Sequence, residues 1–558
     1  MSLFSELQRR NVLKVALLYG IASLLIIWLA GAAVAVLGAP TWTKHFVSLV
    51  LAIGFPVALI FAWAFEITPT GLKKSLDVDQ TQSLVFKTGQ KLNAAVAILA
   101  VLGALALVGQ RLMPEFEFPT IIEPIFPAPV YESPEDPRVP QEISAYTLDN
   151  GLRIVVWPDH DIPNVVMYIF VRAGSRNEYP GITGLSHFFE HMMFNGTRHL
   201  KPGEFDETME AAGGANNAYT SRDVTVYQDW FPRSALEVIF DLEADRLQYL
   251  AIDPDAVESE RGVVYSERRT GIDNDNSGRL FEQVFATAFI AHPYQFPVIG
   301  WPSDIENWAQ DDLESYFRTY YAPNNLTMII TGDVTPTEIF VMAERVFGDI
   351  PAQNPPPAIR TIEPEQSGPR RLLIETDAPT PLLHIAFHAT RAADADALPM
   401  RVLLNILTGD PSSRLHQHLV EQEQLALHVG GYQMAGFDPG VVYFYLTLPP
   451  DADVPAVEAR VLAELARVAE TGVTEAELAK ARNIMIADYW RTLATINGKA
   501  AALGDAEVFL GDYELAFALP DNLGTITVAD VQRVAAKVFR HNNMTVGVLR
   551  SAIDEGAN

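Results

Sequence analysis

Three long runs without a charged side chain dominate the beginning of the chain. They are Val15–Thr43, His45–Phe65 and Leu92–Gln110. At about 1.5 Å of helix rise per residue, each run is long enough to cross a hydrocarbon layer of roughly 30 Å. We therefore predict transmembrane helices at about residues 15–38, 45–65 and 92–110, with buried core helices as the alternative. The third run is short and contains Asn93, so an interfacial segment also stays open there.

Basic side chains flank these runs unevenly. Arg9, Arg10 and Lys14 precede the first run, and four lysines lie between the second and the third. Basic loops stay in the cytoplasm. In a bacterium this pattern predicts an inner-membrane protein, held in the lipid bilayer by its N-terminal helices, with a cytoplasmic N-terminus and with everything after residue 113 in the periplasm. A cleaved signal peptide is the competing interpretation of the first run, but it does not explain the two runs that follow.

The pattern changes after residue 113. Eight prolines fall within residues 114–140, which predicts an extended linker. Beyond it, the pair Asn150-Gly151 between two apolar stretches predicts a hairpin. The nearly continuous apolar run Val165–Val171 predicts a strand buried on both faces, and a glycine-rich turn then leads into a helix. A compact domain that mixes strands and helices is therefore expected after the linker.

Composition limits the possible functions. The chain has 558 residues, a formal net charge of -29 and no cysteine. Because an acidic surface repels phosphate, we expect no nucleic-acid partner. Without cysteine there can be no disulfide, no thiolate metal site and no cysteine nucleophile. The acidic balance is also a weak hint of basic peptides as substrates.

Two predicted helices carry residues suited to metal chemistry. The segment His187-Phe-Phe-Glu190-His191 places two imidazoles at i and i+4 on one helix face, with a carboxylate beside them. Neutral imidazoles are good zinc ligands. A later predicted helix carries Glu260 and Glu267 on one face, and Glu267 can supply a third ligand. Without the histidines, this glutamate pair would be read as an ordinary solvated face.

These motifs resemble the pitrilysin/insulinase family of zinc metallopeptidases, the inverzincins. The resemblance is carried by the inverted His-x-x-Glu-His order and by a glutamate 76 residues after the second histidine. Further similar stretches are Gly213–Thr220, His292–Tyr294 and Tyr321–Asn325. The resemblance covers about residues 142–550 and points to the short two-domain type similar to mitochondrial processing peptidase subunits.

The resemblance implies an α+β fold of two related domains, each a mostly antiparallel sheet packed with helices. We place the catalytic domain at residues 141–350, an interdomain linker at 351–372 and a second, inactive peptidase-like domain at 373–552. The membrane anchor, residues 1–113, lies outside the resemblance.

The resemblance also implies a set of site residues and one zinc ion per chain. The zinc ligands would be His187, His191 and Glu267. Glu190 would be the catalytic base, and Glu260 would assist catalysis by supporting a histidine. Asn217 and Ala218 would lie on an edge strand to which the peptide substrate adds as a further strand. A plain turn residue is the alternative for Asn217.

The second domain departs from the family pattern. In some members an arginine and a tyrosine of this domain reach the zinc site, but here Arg414 is present and Leu427 stands at the tyrosine position. We therefore expect a related partner subunit that carries an Arg/Tyr pair, with a homodimer as the weaker option. Two functions stay open: a membrane-anchored zinc endopeptidase acting on peptides or unfolded segments, or a structural, partner-dependent subunit. The complete ligand set favours the peptidase.

Overall fold

The structure is a computed structural model that describes residues 132–134 and 136–552, two short strands at 65–68 and 71–74, and five single helical positions at 23, 26, 48, 51 and 55. Strands β1 (Phe65–Thr68) and β2 (Gly71–Lys74) pair with each other in antiparallel fashion. Much of the predicted proline-rich linker, residues 114–140, lies outside the described residues.

The predicted membrane location is wrong for the structure as described. Among the described residues, no helix is long and apolar enough to span a bilayer. The prediction rested on runs of uncharged residues, whereas a span needs about 20 consecutive helical residues. The described positions in the runs at 15–38 and 45–65 are single helical residues and the first residue of β1, and the rest of both runs, like the whole of 92–110, lies outside the described part. A bacterial inner-membrane anchor with periplasmic catalytic domains is therefore not retained.

The first domain is built on a six-stranded sheet. Its strands are β3 (Ser144–Thr147), β4 (Arg153–Pro158), β5 (Asn164–Val171), β6 (Ala215–Thr220), β7 (Thr225–Pro232) and β8 (Leu326–Gly332). They lie in the order β3-β4-β8-β5-β7-β6, in which β4 and β8 pair in parallel and the other neighbours are antiparallel. Strand β6 is therefore an edge of the sheet.

Two local sequence predictions are confirmed in this sheet, the buried strand at 165–171 and the hairpin at Asn150-Gly151. Strand β5 is buried along seven of its eight residues, because both faces of the sheet are covered. The hairpin between β3 and β4 turns at Gly151, whose φ of 89° favours glycine. The side chain of Asn150 beside it donates hydrogen bonds to the carbonyl oxygens of Phe347 and Ile350, which ties the turn to the end of the domain.

Eight helices accompany the first sheet in the described chain. They are α1 (Leu185–Met192), α2 (Glu204–Ala211), α3 (Leu236–Tyr249), α4 (Pro254–Arg268), α5 (Asn276–Ala288), α6 (Pro302–Asn307), α7 (Gln310–Tyr320) and α8 (Pro336–Phe347). Side chains of α1, α3, α7 and α8 pack on one face of the sheet and form the main core of the domain.

The second domain repeats this plan. Its strands are β9 (Arg370–Glu375), β10 (Leu382–His388), β11 (His428–Met434), β12 (Val441–Thr447) and β13 (Met544–Arg550). Its helices are α9 (Ala397–Thr408), α10 (Val454–Thr471), α11 (Glu475–Leu493), α12 (Ile496–Asp505), α13 (Leu519–Thr525) and α14 (Val528–Val538). The order β11-β12-β10-β13-β9, with β9 and β13 parallel, matches β6-β7-β5-β8-β4. The expected α+β fold of two related domains is confirmed, while the exact domain boundaries stay predictions.

In each domain, one helix packs against the sheet of the other domain. Helix α5 of the first domain packs on β10, β12 and β13, and helix α12 of the second packs on the corresponding face of the first sheet. Both contacts need a glycine. A Cβ at Gly504 of α12 would lie 2.1 Å from the ring of Phe170, and one at Gly547 of β13 would lie 2.4 Å from Val284. The two domains therefore share apolar core.

The loop between β11 and β12 also reaches the first domain. The backbone N–H of Asp438 donates to the hydroxyl oxygen of Tyr294 at 3.1 Å, and the Asp438 carboxylate binds Arg176 and His292 at 2.6 and 3.1 Å. Tyr294 in turn donates to Asp223 at 2.7 Å. Gly436 lies so close that a Cβ there would be 1.9 Å from an Asp223 oxygen. This loop fixes the second domain against the first.

We predict that Gly436→Ala weakens this docking. The added methyl group must displace Asp223 or the loop, and overpacking of this kind costs on the order of 1–3 kcal/mol. Thermal unfolding followed by calorimetry should show a Tm a few degrees below that of the wild type. Gly524→Ala is the matched control, because a Cβ there meets nothing within 4 Å. Equal melting of the Gly436→Ala and Gly524→Ala chains would contradict the role of the loop.

Candidate metal centre

Helix α1 presents both histidines, and its start is firmly held. The carboxylate of Glu178 accepts hydrogen bonds from the backbone N–H groups of Gly184 and Ser186, both at 2.7 Å, and from the Ser186 hydroxyl at 2.6 Å. These N–H groups belong to the helix start, where they have no partner within the helix. Gly184 has a φ of 90°, and a Cβ there would lie 2.6 Å from the carbonyl oxygen of Ile299. The helix therefore begins at a fixed place.

Helix α4 brings the third ligand to the histidines. Its N-cap, Asp253, accepts hydrogen bonds from the backbone of the first turn, and Pro254 opens the helix. The Nε2 atoms of His187 and His191 lie 3.6 and 3.4 Å from the same Oε2 atom of Glu267. One ligand atom from each of these three side chains falls within 4.8 Å of the others.

This arrangement fits a zinc ion. In a tetrahedral site with ligand distances of about 2.0–2.2 Å, two ligand atoms lie roughly 3.3–3.6 Å apart, which the two observed separations match. Burial, with the neighbouring His191 adding to it, lowers the pKa of His187 to about 4. His187 is therefore a neutral imidazole near pH 7, the form that binds a metal.

Glu260 orients His191 from the outer side. Its Oε1 atom lies 2.7 Å from His191 Nδ1, and its Oε2 atom accepts a hydrogen bond from the Asn195 amide at 2.6 Å. Burial disfavours the charged imidazole, but the hydrogen bonds to Glu260 and Glu267 outweigh it and raise the pKa of His191 to about 9. With the Nδ1 proton directed to Glu260, the Nε2 atom is left to face the ligand cluster. A bound metal would replace the proton that His191 otherwise holds there.

Glu190 lies beside the cluster and has one partner of its own. The Thr220 hydroxyl donates a hydrogen bond to Glu190 Oε2 at 2.5 Å. Burial raises the pKa of Glu190, against this hydrogen bond, which makes the carboxylate a better proton acceptor. The position of Glu190 on α1, one residue before His191, keeps it next to the ligands without placing it among them.

A cavity of about 400 Å³ opens onto these residues. Its wall includes His187, Glu190 and Glu267, together with Ala218 and Thr220 of β6. Apolar and aromatic side chains of α5 and of the segment 297–299 form much of the remaining wall. The cavity is large enough for a ligand side chain, because small-molecule sites begin at roughly 300 Å³.

The two predicted substrate-binding residues behave differently. Ala218 lines the cavity, whereas Asn217 is exposed and is not part of the cavity wall. Both lie on the edge strand, which pairs with β7 on one side only. Alternate backbone N–H and C=O groups of β6 are therefore left at an open edge beside the cavity.

Sequence reasoning missed two contacts of the site. Asn195 was not among the predicted site residues, but its side chain donates a hydrogen bond to Glu260. Its position four residues after His191 was a usable signal. Thr220 was part of a quoted motif without a role, and its contact with Glu190 joins residues 30 positions apart on a strand and a helix. No local spacing rule predicts such a contact.

Arg414 forms ion pairs within its own domain. It binds Glu477 at 2.5 Å and Glu464 at 3.4 Å, and the pair with Glu477 lowers the pKa of that carboxyl group to about 2. Leu427 is 57% exposed. An arginine held by two carboxylates is not free to reach a substrate, so an ion-pairing role describes Arg414 in this chain.

Comparisons with known proteins agree with this fold. A family model described as Insulinase (Peptidase family M16) matches residues 153–300, and one described as Peptidase M16 inactive domain matches residues 307–485. A relative named zinc protease PqqE, from Helicobacter pylori, is 29% identical over 415 residues, which cover 72% of this chain and 92% of the relative.

Two further comparisons extend the picture. The mitochondrial-processing peptidase subunit beta of Lentinula edodes is 26% identical over 404 residues, covering 70% of this chain and 86% of that protein. The crystal structure of a protease from Helicobacter pylori matches with a TM-score of 0.71 and 28% identity, covering 73% of this chain and 99% of that one. Since the two family models together match more than half of the chain, it belongs to the M16 (pitrilysin/insulinase-like) peptidases, with a mitochondrial processing peptidase subunit among its relatives.

Proposed function

We propose that the chain is a zinc-dependent endopeptidase that hydrolyses peptides or unfolded protein segments. The observation that carries this proposal is the meeting of two imidazoles and a carboxylate at metal-binding distances, with Glu190 beside them in one cavity. A purely structural subunit has no physical need of all four side chains in this geometry. The names of the relatives, which include zinc proteases, support the same conclusion.

The residues divide the chemistry as follows. His187, His191 and Glu267 would hold the ion, which when bound supplies a Lewis acid that polarises a peptide carbonyl and activates water. Glu190 takes a proton from the attacking water and passes it to the leaving amine nitrogen. Thr220 holds the Glu190 carboxylate at one oxygen and leaves the other for this exchange. Glu260 keeps the ring of His191 oriented.

The open edge of β6 suits an extended substrate. A peptide laid along Ala215–Thr220 would gain backbone hydrogen bonds as an added strand and would pass over the cavity at Ala218. Backbone pairing depends little on side chains, so affinity would tolerate many sequences. In this proposal Asn217 contributes through its backbone, because its side chain is not part of the cavity wall.

A partner-dependent form of this activity is the second candidate. Arg414 is held by Glu464 and Glu477, and Leu427 offers no hydroxyl group to a developing oxyanion. We infer that a related subunit with a free Arg/Tyr pair would complete the site, as a heterodimer, with a homodimer as the weaker option. The relative from Lentinula edodes is itself, by name, a subunit.

Glu190→Gln should abolish peptide hydrolysis without loss of zinc. The amide cannot accept the proton of the attacking water, and loss of such a base lowers kcat by roughly 100- to 10,000-fold. Cleavage of a mixed quenched-fluorescent peptide library by the full chain, with and without chelator, measures this effect beside the zinc content of both chains. Cleavage that survives in the Glu190→Gln chain or in chelator would contradict the mechanism.

Glu260→Gln should weaken zinc binding by about 10- to 100-fold, because His191 loses its charged hydrogen-bond partner. Competition with a chromophoric chelator gives the zinc affinity directly. Glu258→Gln is the matched control on the same helix, since the Glu258 side chain is 78% exposed and lies outside the site. A Glu260→Gln chain that binds zinc as tightly as the control would show that Glu260 does not orient the ligand.

The partner hypothesis predicts a chain that binds one zinc but cleaves slowly on its own. Light scattering would give its oligomeric state, and adding a related subunit with an Arg/Tyr pair should raise kcat. Full activity of the isolated monomer would exclude the need for a partner.

A further inference from the structure

One cation in the cavity wall, Arg222, forms no ion pair with any described residue. Arg222 lines the same cavity as His187, Glu190 and Glu267. Its Nε atom donates to the backbone carbonyl of Tyr294 at 3.1 Å, and its guanidinium carbon lies 3.8 Å from the centre of the Phe285 ring. Among the described residues, neither terminal nitrogen has a hydrogen-bond partner, and neither is sealed from solvent. The fork of the guanidinium group is thus held in place with its outer edge open.

The nearby carboxylates are engaged elsewhere. Glu282, which also lines the cavity, is bound by Arg268 through contacts of 2.6 and 3.1 Å. Asp223, the residue next to Arg222, accepts from Tyr294 and from the backbone N–H of Phe437. Neither carboxylate makes a direct contact with Arg222, although the charge of the adjacent Asp223 acts on it from a longer distance. A guanidinium group in a partly dry cavity without a partner is costly, and a planar carboxylate is the group that its fork fits best.

The rest of the wall strengthens such a contact. Phe281, Phe285, Val298 and Ile299 give the cavity an apolar lining. An ion pair formed against apolar walls is less screened than one on the open surface. The net charge of -29 suggested basic peptides, but the cavity that contains His187, Glu190 and Glu267 has in its wall an arginine without an ion pair to any described residue.

We propose that Arg222 is a specificity-determining residue that binds a carboxylate of the peptide substrate, so that the enzyme favours an acidic group near the scissile bond. This inference rests on the proposed peptidase function and names its substrate class. The carboxylate is that of an acidic side chain or of the peptide's own C-terminus, since both present the same planar pair of oxygens. Two terminal nitrogens without a hydrogen-bond partner in the described chain allow a bidentate contact.

The test compares matched peptides in matched chains. A quenched-fluorescent peptide series carries Glu, Gln or Lys at each position around the cleaved bond, with an amidated C-terminus. A parallel series keeps neutral side chains and varies only acid against amide at the C-terminus. The kcat/KM ratio of Glu to Gln, or of acid to amide, is measured for the wild type and for Arg222→Gln, Arg222→Glu and Arg222→Lys.

The expected result is a preference for the charged peptide of roughly 10- to 100-fold in the wild type, the size of a hydrogen-bonded ion pair. Arg222→Gln should reduce the ratio to about one. Arg222→Glu should reverse the preference, so that the Lys peptide is cleaved better than the Glu peptide. Arg222→Lys should keep part of the wild-type preference for the Glu peptide. Arg345→Gln, which changes an exposed arginine outside the cavity, should keep the wild-type ratio. The series that shows the preference identifies the source of the carboxylate.

Binding separates this inference from the peptidase proposal. Equilibrium affinities of the same peptides for Glu190→Gln and for Glu190→Gln/Arg222→Gln need no turnover, and the preference should be present in the first chain and absent in the second. The same ratio in both chains overturns the role of Arg222. A wild-type chain that binds zinc and prefers the acidic peptides, but cleaves none of them even with an added Arg/Tyr subunit, contradicts the peptidase and leaves the Arg222 contact established.

Discussion

The hydrogen bond between His191 and Glu260 joins the two helices on which the site depends. Helix α1 carries the histidines and the base, and helix α4 carries the third ligand seven residues after Glu260. Seven residues are about two helical turns, so Glu260 and Glu267 face α1 together. One carboxylate orients an imidazole while the other meets both imidazoles. Any shift of α4 along α1 would therefore disturb the orientation of His191 and the geometry of the ligands at once.

Contacts within one helix could be predicted from the sequence, because they follow from spacing alone. Spacing placed the two histidines on one face of a helix and the two glutamates on one face of another, and the family resemblance then joined His187, His191 and Glu267 into one ligand set. The repeated α+β domains followed from the resemblance and are present as two sheets of matching strand order. Contacts between distant segments could not be predicted. Phe437 meets Asp223 across 214 residues, and nothing local in either segment signals that meeting.

The membrane prediction, which is wrong for the structure as described, rested on hydropathy alone. A bilayer span is a helix of about 20 mostly apolar residues. The described part of the chain has no such helix.

Arg414 also shows that a sequence pattern alone does not settle what a side chain does. Its place in a familiar pattern suggested a role at the site, but Glu464 and Glu477, which lie 50 and 63 residues further along the chain, decide what the side chain does.

The packing of helices α5 and α12 on the opposite domains limits which parts of the chain can vary in sequence. In the described residues, the cluster of metal ligands belongs to the first domain alone, so the second domain looks dispensable for chemistry. Yet α12 covers one face of the first sheet, and α5 needs the second sheet to cover its own apolar side. Losing either domain would expose a broad apolar surface on the survivor. The second domain is thus needed for packing, although the described ligand cluster lies in the first domain, and we expect substitutions in it to be tolerated best where it does not contact the first domain.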